Sequence, residues 1–283
     1  MSNRLSFSLS IIMGLILMFA SGKADELEHA KMNFWKGNTF HQLTVDTSKY
    51  DQGIIRAKTH GKKYKWEEYK IRELPDEFLE WNFNNRTKSL EKIKKKESPS
   101  LAGPHNAIVA TQGIRRFDTL FAINNAVKGM GFLPKKDKLK EIIKLLQSTI
   151  NKDQNEKIDI LISFYNKAGE MFNRTIQVSL ELYSTPEFET HSFLNQMANP
   201  RAAIVFLDIP CFELKVIVQL LHPEDPELTE YEKDMVEYTN LIHSFFHGKF
   251  DKKFITVVYH IVEVYNNTPG KKGRGVRIVP KKK

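Results

Sequence analysis

The chain has 283 residues, of which 41% are hydrophobic and 27% are charged. This balance is typical of one or two globular domains and excludes a low-complexity, disordered chain. Its single cysteine, Cys211, excludes an internal disulfide framework, and its formal charge of +9 makes the placement of the positive residues informative.

The first 24 residues predict export from the cytoplasm. Arg4 supplies a positive start, Leu9–Phe19 forms an apolar run, and small residues follow, which is the layout of a signal peptide. Cleavage after Gly22 and cleavage after Ala24 both fit. The run is shorter than the roughly 20 residues that span a bilayer, although an uncleaved anchor is the alternative. Because no cysteine follows for lipid attachment, we expect a periplasmic protein without an integral membrane segment after cleavage.

The N-terminal half is expected to be mainly helical. Pro75 begins a charged helix, and Ser98–Pro104 has the composition of a linker. From His105 to Val127, apolar residues recur at spacings of three and four, which predicts another helix. The other elements predicted here are a helix over 25–37, strands over Thr39–Asp46 and Gly53–Thr59, and a helix over Lys136–Ile150.

The C-terminal half shows the alternation of strands. Strands are predicted at Ile158–Tyr165, Arg174–Tyr183, Ala202–Leu207, Phe212–Leu221 and Phe254–Tyr265, with helices at Pro186–Met197 and Pro226–Phe246. The predicted fold class is α+β, with a mostly antiparallel sheet of about five strands in the C-terminal half packed by helices, and a helical N-terminal half. We expect a single domain over 25–268, a candidate sub-lobe break near 98–104, and a flexible basic tail over 269–283.

The positive charge is concentrated in this tail. It contains no acid and seven cations: Lys271, Lys272, Arg274, Arg277, Lys281, Lys282 and Lys283. Loss of residues 1–24 would leave a charge of +7, so the rest of the mature chain is close to neutral. A cationic tail attracts acidic surfaces, and for an exported protein we expect an acidic polymer, lipid or protein partner and no nucleic acid. A tail that only maintains solubility is the alternative. Val276, Ile278 and Val279 are apolar enough to form a short strand against a partner.

Few residues suggest catalysis or metal binding. His243 and His247 are four apart on a predicted helix, but zinc needs a third protein ligand, and a histidine at a helix C-terminus is favourable without any metal. Cys211 is interpreted as a small buried hydrophobe. The sequence has no nucleophile elbow and no phosphate-binding glycine loop. We therefore expect no enzyme activity, no cofactor and no bound metal.

In whole-chain character, the sequence resembles the flagellar coiling proteins of spirochaetes. The resemblance is carried by the leader, the body rich in lysine and phenylalanine, and the segments Gly113–Asp118 (GIRRFD) and Ala198–Arg201 (ANPR). It implies a non-enzymatic sheath component that contacts other sheath and filament proteins of the periplasmic flagellum and contributes to filament coiling and motility. The seven tail cations are our candidate contact residues. The alternative is a periplasmic ligand-binding protein or hydrolase, with a pocket between its helices and its sheet.

Overall fold

A computed structural model describes residues 33–59, 65–98, 100, 102–270 and 275–281. The predicted signal peptide and residues 25–32 of the helix predicted over 25–37 lie outside these residues. The described remainder, residues 33–37, is not helical: it leads into a turn in which Lys36 bridges Thr39, so this part of the prediction was wrong. Within the described ranges, none of the helices has the length and apolar character needed to cross a bilayer.

The described residues contain eleven strands, which form two antiparallel sheets. The strands are β1 (Val45–Asp46), β2 (Ile54–Thr59), β3 (Lys65–Lys70), β4 (Asn106–Gln112), β5 (Ile123–Gly129), β6 (Gly131–Pro134), β7 (Phe172–Glu181), β8 (Arg201–Phe206), β9 (Phe212–Leu221), β10 (Ile255–Asn266) and β11 (Val276–Val279). Strands β1 to β3 form a small sheet in sequence order, and the other eight form the main sheet.

The main sheet curls until its two ends meet. Its strand order is β5-β4-β8-β9-β10-β7-β6. Strand β10 pairs with β7 through its first half and with β11 through its last residues, on the same edge. Strands β5 and β6 stand at opposite ends of this order, yet only Met130 separates them in the chain. The sheet must therefore bend back on itself so that the chain can pass directly from one edge to the other.

Six α-helices accompany the sheets in the described residues. They are α1 (Asp76–Lys94), α2 (Lys136–Thr149), α3 (Gln154–Asn166), α4 (Ala168–Met171), α5 (His191–Ala198) and α6 (Glu230–His247). Two sequence signals place helix starts: α1 begins directly after Pro75, and the Thr229 and Glu232 side chains form a capping box at α6. In α2, the apolar stripe of Leu139, Ile142 and Leu146 is buried, as its spacing predicts.

The predicted fold class was wrong about the distribution of strands and helices. The protein combines helices and sheet, but it is mainly sheet, with eight strands in the curled sheet and three in the small sheet. The N-terminal half is not helical, because the small sheet and strands β4, β5 and β6 occupy much of it.

The largest error concerns the helix predicted over 105–127, which is the hairpin of β4 and β5. Val109 is buried whereas Ile108 and Val127 are exposed, so apolar residues lie on both faces of the hairpin. Apolar residues on both faces hide the period of two and produce a false helical spacing. Their β-branched side chains favour strand.

The opposite error occurred at Ile158–Tyr165, which lies in α3 and not in a strand. The signal that sequence reasoning missed is Asp153, whose carboxylate accepts hydrogen bonds from the main-chain N–H groups of Asn155 and Glu156. This is an N-terminal helix cap, and it fixes the start of the helix independently of the apolar pattern that follows.

Candidate functional site

A cavity of about 260 Å³ lies between the helices and the main sheet, beside the point where β5 leads into β6. Helices α1, α3 and α6 form one wall, and the opposite wall comes from the start of β4, the β5–β6 junction and Val178 of β7. The polar residues on its wall are Arg86, Ser100, His105, Asn106, Tyr165, Thr239, His243 and His247. The apolar ones include Leu90, Ile93, Met130, Leu161, Ile242 and Phe246.

Arg86 is a buried cation, and hydrogen bonds from its three guanidinium nitrogens hold its side chain in place. It lies on the inner face of α1, where Phe78, Asn82, Arg86 and Leu90 recur at a spacing of four and are all buried. Its Nε donates to Oδ1 of Asn82 (2.6 Å), and its Nη2 donates to the main-chain oxygens of Pro104 (2.6 Å) and Met130 (2.7 Å). These bonds join α1 to the two loops that border the cavity.

The charge of Arg86 has no carboxylate partner among the described residues. Its guanidinium contacts neutral groups only, including the faces of Phe132 and Tyr165 at 5.5 and 5.8 Å from their ring centroids. A buried charge is costly unless an opposite charge compensates it. The cavity therefore carries an uncompensated positive charge in its wall.

His105 is held in a single tautomer by Arg86. Nη1 of Arg86 donates to Nδ1 of His105 over 3.3 Å. A guanidinium has no acceptor, so Nδ1 must accept and the ring proton must sit on Nε2. Burial, and secondarily the charge of Arg86, lowers the pKa of His105 to about 3, so the ring is neutral. Its Nε2 is buried and has no hydrogen-bond partner.

His243 and His247 lie on the α6 side of the same cavity. Their ring centroids are 5.8 Å apart. Burial, with a smaller contribution from His247, lowers the pKa of His243 to about 4, and burial lowers the pKa of His247. The described residues provide no third histidine, cysteine or carboxylate ligand close to this pair. The pair therefore serves as neutral, polar wall rather than as a zinc site on its own.

A different group, His41, Asp225 and Glu227, has the separations of a metal site. His41 Nδ1 lies 2.7 Å from Asp225 Oδ2, and its Nε2 lies 3.9 Å from Glu227 Oε2. The hydrogen bond between the His41 ring and Asp225 accounts for the short contact in this group without a metal ion.

The seven candidate tail residues are only partly described. Arg277 lies in β11, and its Nη1 donates to Oε1 of Glu263 on β10 over 3.0 Å. Lys281 is exposed. The other five, Lys271, Lys272, Arg274, Lys282 and Lys283, lie outside the described residues. The apolar segment Val276–Val279 pairs with β10 of its own chain, so Arg277 belongs to a folded strand.

Cys211 lies between β8 and β9. Its main-chain N–H donates to Oγ1 of Thr268 (2.8 Å). Burial, and secondarily Glu213, raises the pKa of its thiol, which disfavours the nucleophilic thiolate.

A second feature is an exposed apolar area, here named the hairpin surface. It comprises Phe117, Leu120 and Phe121 of the β4–β5 connection with Tyr183 and Phe188 of the β7–α5 connection. Phe117 is 93% exposed and Leu120 is 82% exposed. Arg116 links the two connections, because its Nη1 donates to the main-chain oxygen of Glu189 (2.8 Å) and its guanidinium lies over the ring of Phe188. Exposed apolar side chains on two neighbouring connections are candidates for an interaction surface.

No protein-family model matches this chain, and no curated protein sequence matches it. The functional argument therefore depends on the cavity, the hairpin surface and the chemistry of their residues.

Proposed function

We propose that the protein binds a small ligand with an apolar body in the cavity between its helices and its sheet. The observation that carries this proposal is the convergence of buried Arg86 and half-buried His105 on a cavity whose wall surface is mostly apolar. Apolar walls with a few fixed polar groups are typical of small-molecule sites, where the walls supply affinity and the polar groups supply orientation.

The cavity volume limits the size of the ligand. A volume of about 260 Å³ corresponds to the space of roughly nine water molecules in the liquid. We therefore expect a ligand of a similar number of non-hydrogen atoms, such as a short aliphatic chain or a single ring with one polar head group.

Binding accounts for the wall better than catalysis does. The hydroxyl of Thr239 donates to the main-chain oxygen of Met235 within α6 (2.7 Å), so it is not held by a base. His105 is committed to Arg86 through Nδ1, and His243 is kept neutral by its surroundings. We propose a binding protein, without a chemical step.

Native mass spectrometry of the purified protein tests this proposal, with Ile93→Trp as the variant. Ile93 is half-buried on α1 and lines the cavity, so an indole there should fill it. Leu79→Trp is the matched control, because Leu79 is half-buried on the same helix but borders a different pocket. We expect a co-purifying small molecule in the natural protein and in Leu79→Trp, and its loss in Ile93→Trp. Equal recovery from all three proteins would contradict the proposal.

The second candidate function is that of a structural component of the periplasmic flagellar sheath, as the resemblance implies. The hairpin surface favours it, because repeated apolar contacts along a filament would add up to firm attachment. Under this proposal the protein acts through contacts with other sheath and filament proteins, and Phe117 and Phe121 are the residues expected at the interface.

Quantitative mass spectrometry of purified periplasmic flagella from the source organism tests this second function. Recovery close to the abundance of the other filament proteins is expected. A Phe117→Ser, Phe121→Ser double variant should be lost from the filaments, whereas Leu43→Ser, which changes an exposed leucine elsewhere, should be retained. Absence of the natural protein from the filaments would remove the sheath proposal.

A further inference from the structure

We propose that the ligand of the cavity is a small carboxylate whose head group lies against Arg86 and His105; this inference rests on the proposed function and specifies its ligand class. It follows from two deficits in the wall, one of charge and one of hydrogen bonding.

The first deficit is the charge of Arg86. The side chain is 2% exposed, and its contacts in the described residues are an amide oxygen, two main-chain oxygens, an imidazole nitrogen and two aromatic faces. None of these partners carries a negative charge. An anion in the adjacent cavity would compensate the buried guanidinium. Four of its five N–H groups already donate to the neutral partners, so one Nη1 N–H is left for a carboxylate oxygen.

The second deficit is the donor of His105. Because Nδ1 accepts from Arg86, Nε2 carries a proton, and that N–H is buried without an acceptor. An unsatisfied buried donor costs about 1–3 kcal/mol. A carboxylate oxygen that reaches Nε2 would accept this hydrogen bond, whereas a ligand head group that only donates would leave the N–H unsatisfied.

The rest of the wall limits the charge of the ligand to one. His105 and His243 are neutral, because burial lowers their pKa values to about 3 and about 4. The described wall contains no lysine and no arginine other than Arg86. A single negative charge therefore balances the site, while a doubly charged phosphate would bring an excess charge into an apolar cavity.

Calorimetric titration of the purified full-length mature protein with matched acids and amides tests the inference. The probes are butanoate, hexanoate and octanoate, each compared with its primary amide, which has nearly the same shape and no charge. We expect the best acid to bind at least about tenfold more tightly than its amide, as charge-assisted hydrogen bonds require. His105→Phe should reduce this preference severalfold, and Arg86→Met should abolish it.

Arg277→Met is the control, since it removes an arginine that pairs with Glu263 outside the cavity and should leave the preference unchanged. Arg86→Met also loses the hydrogen bonds to Pro104 and Met130 and is the variant at risk of not folding. If it does not fold, the ratio of acid affinity to amide affinity in the natural protein and in His105→Phe tests the carboxylate inference. Equal affinity for acids and amides would overturn the carboxylate inference and leave the binding function intact. Failure of every probe to bind, together with an unaltered small-molecule content in Ile93→Trp, would overturn both.

Discussion

Nζ of Lys128 on β5 lies 2.6 Å from Oε2 of Glu181 on β7, and this ion pair ties together the two regions of the main sheet that meet when it curls. The Glu181 side chain is fully buried and that of Lys128 is 13% exposed. The other carboxylate oxygen, Oε1, accepts from the main-chain N–H of Tyr183 (3.3 Å). The pair therefore stands at the closure of the sheet, a short distance along β5 from the cavity.

Removal of one partner of this pair should be strongly destabilising. Lys128→Met leaves a buried carboxylate without its cation, and loss of one partner of a buried ion pair costs about 3–5 kcal/mol. The free energy of unfolding from urea denaturation measures this. The double variant Lys128→Met, Glu181→Leu should recover much of the loss, because no charge remains buried. A double variant as unstable as the single one would show that the unpaired charge of Glu181 is not the cause of the loss.

Acidification should destabilise the protein through its buried histidines. The pKa values of His105 and His243 are about 3 and about 4 in the folded protein, against 6.5 for the ordinary side chain. The unfolded chain therefore binds more protons below pH 6.5, so stability is greatest above pH 6.5 and falls as the pH drops towards the folded values. Each histidine contributes a slope of at most about 1.4 kcal/mol per pH unit.

His243→Gln isolates this effect. Between pH 6.5 and 5.5, where carboxylates contribute little, the variant should lose stability with a shallower slope than the natural protein. Urea denaturation at several pH values gives both slopes. Equal slopes would mean that His243 is not held neutral in the fold.

Gly113 should not tolerate a side chain. A Cβ at this position would lie 2.8 Å from both Cα and the main-chain oxygen of Asn195 in α5, where backbone atoms cannot easily move away. Overpacking of this kind costs about 1–3 kcal/mol, so Gly113→Ala should lower the melting temperature by several degrees. Gly169→Ala is the matched control, because its Cβ meets nothing within 4 Å and its effect should be neutral or slightly stabilising. Similar melting temperatures for the two variants would contradict the packing of β4 against α5.

Charge-reversing substitutions in the tail should distinguish residues that stabilise the fold from residues that attract a partner. Arg277 pairs with Glu263 in the sheet, so Arg277→Glu should destabilise the end of β10. Glutamate at Lys271, Lys272 and Lys282 should weaken salt-sensitive attachment to acidic partners. Co-sedimentation with purified filaments at low and high salt measures that attachment. Filament binding that is unchanged at low salt would exclude the tail from the interface.

The elements that sequence reasoning located correctly share strong local signals. Strand β9 was predicted at its observed bounds, and β10 to within one residue at each end, because β-branched and apolar residues predominate in both of these central strands. Helix α2 was predicted because only one of its faces is apolar. Where the local apolar pattern agreed with the burial in the fold, the sequence alone located the strand or helix.

The candidate site was harder to predict, since its parts are distant in the chain. His243 and His247 drew attention as a pair, but as possible metal ligands, and Arg86 and His105 did not stand out. One signal was present in the sequence. Arg86 lies eight residues after Phe78 and four before Leu90, so it falls on the same face of α1 as these two apolar residues. That spacing predicts a buried charge, but only the closure of the sheet brings His105 and the oxygen of Met130 to it. Contacts of that kind depend on the tertiary fold.

The most direct test of the account is a ¹H–¹⁵N correlation spectrum of the purified protein titrated with hexanoate. The account predicts saturable shifts that concentrate in the amides of His105, Gly129, Met130 and Gly131, which border the cavity, and only small changes on the hairpin surface. Shifts confined to the hairpin surface, or no saturable shifts at any amide, would contradict the claim that this cavity binds a small carboxylate.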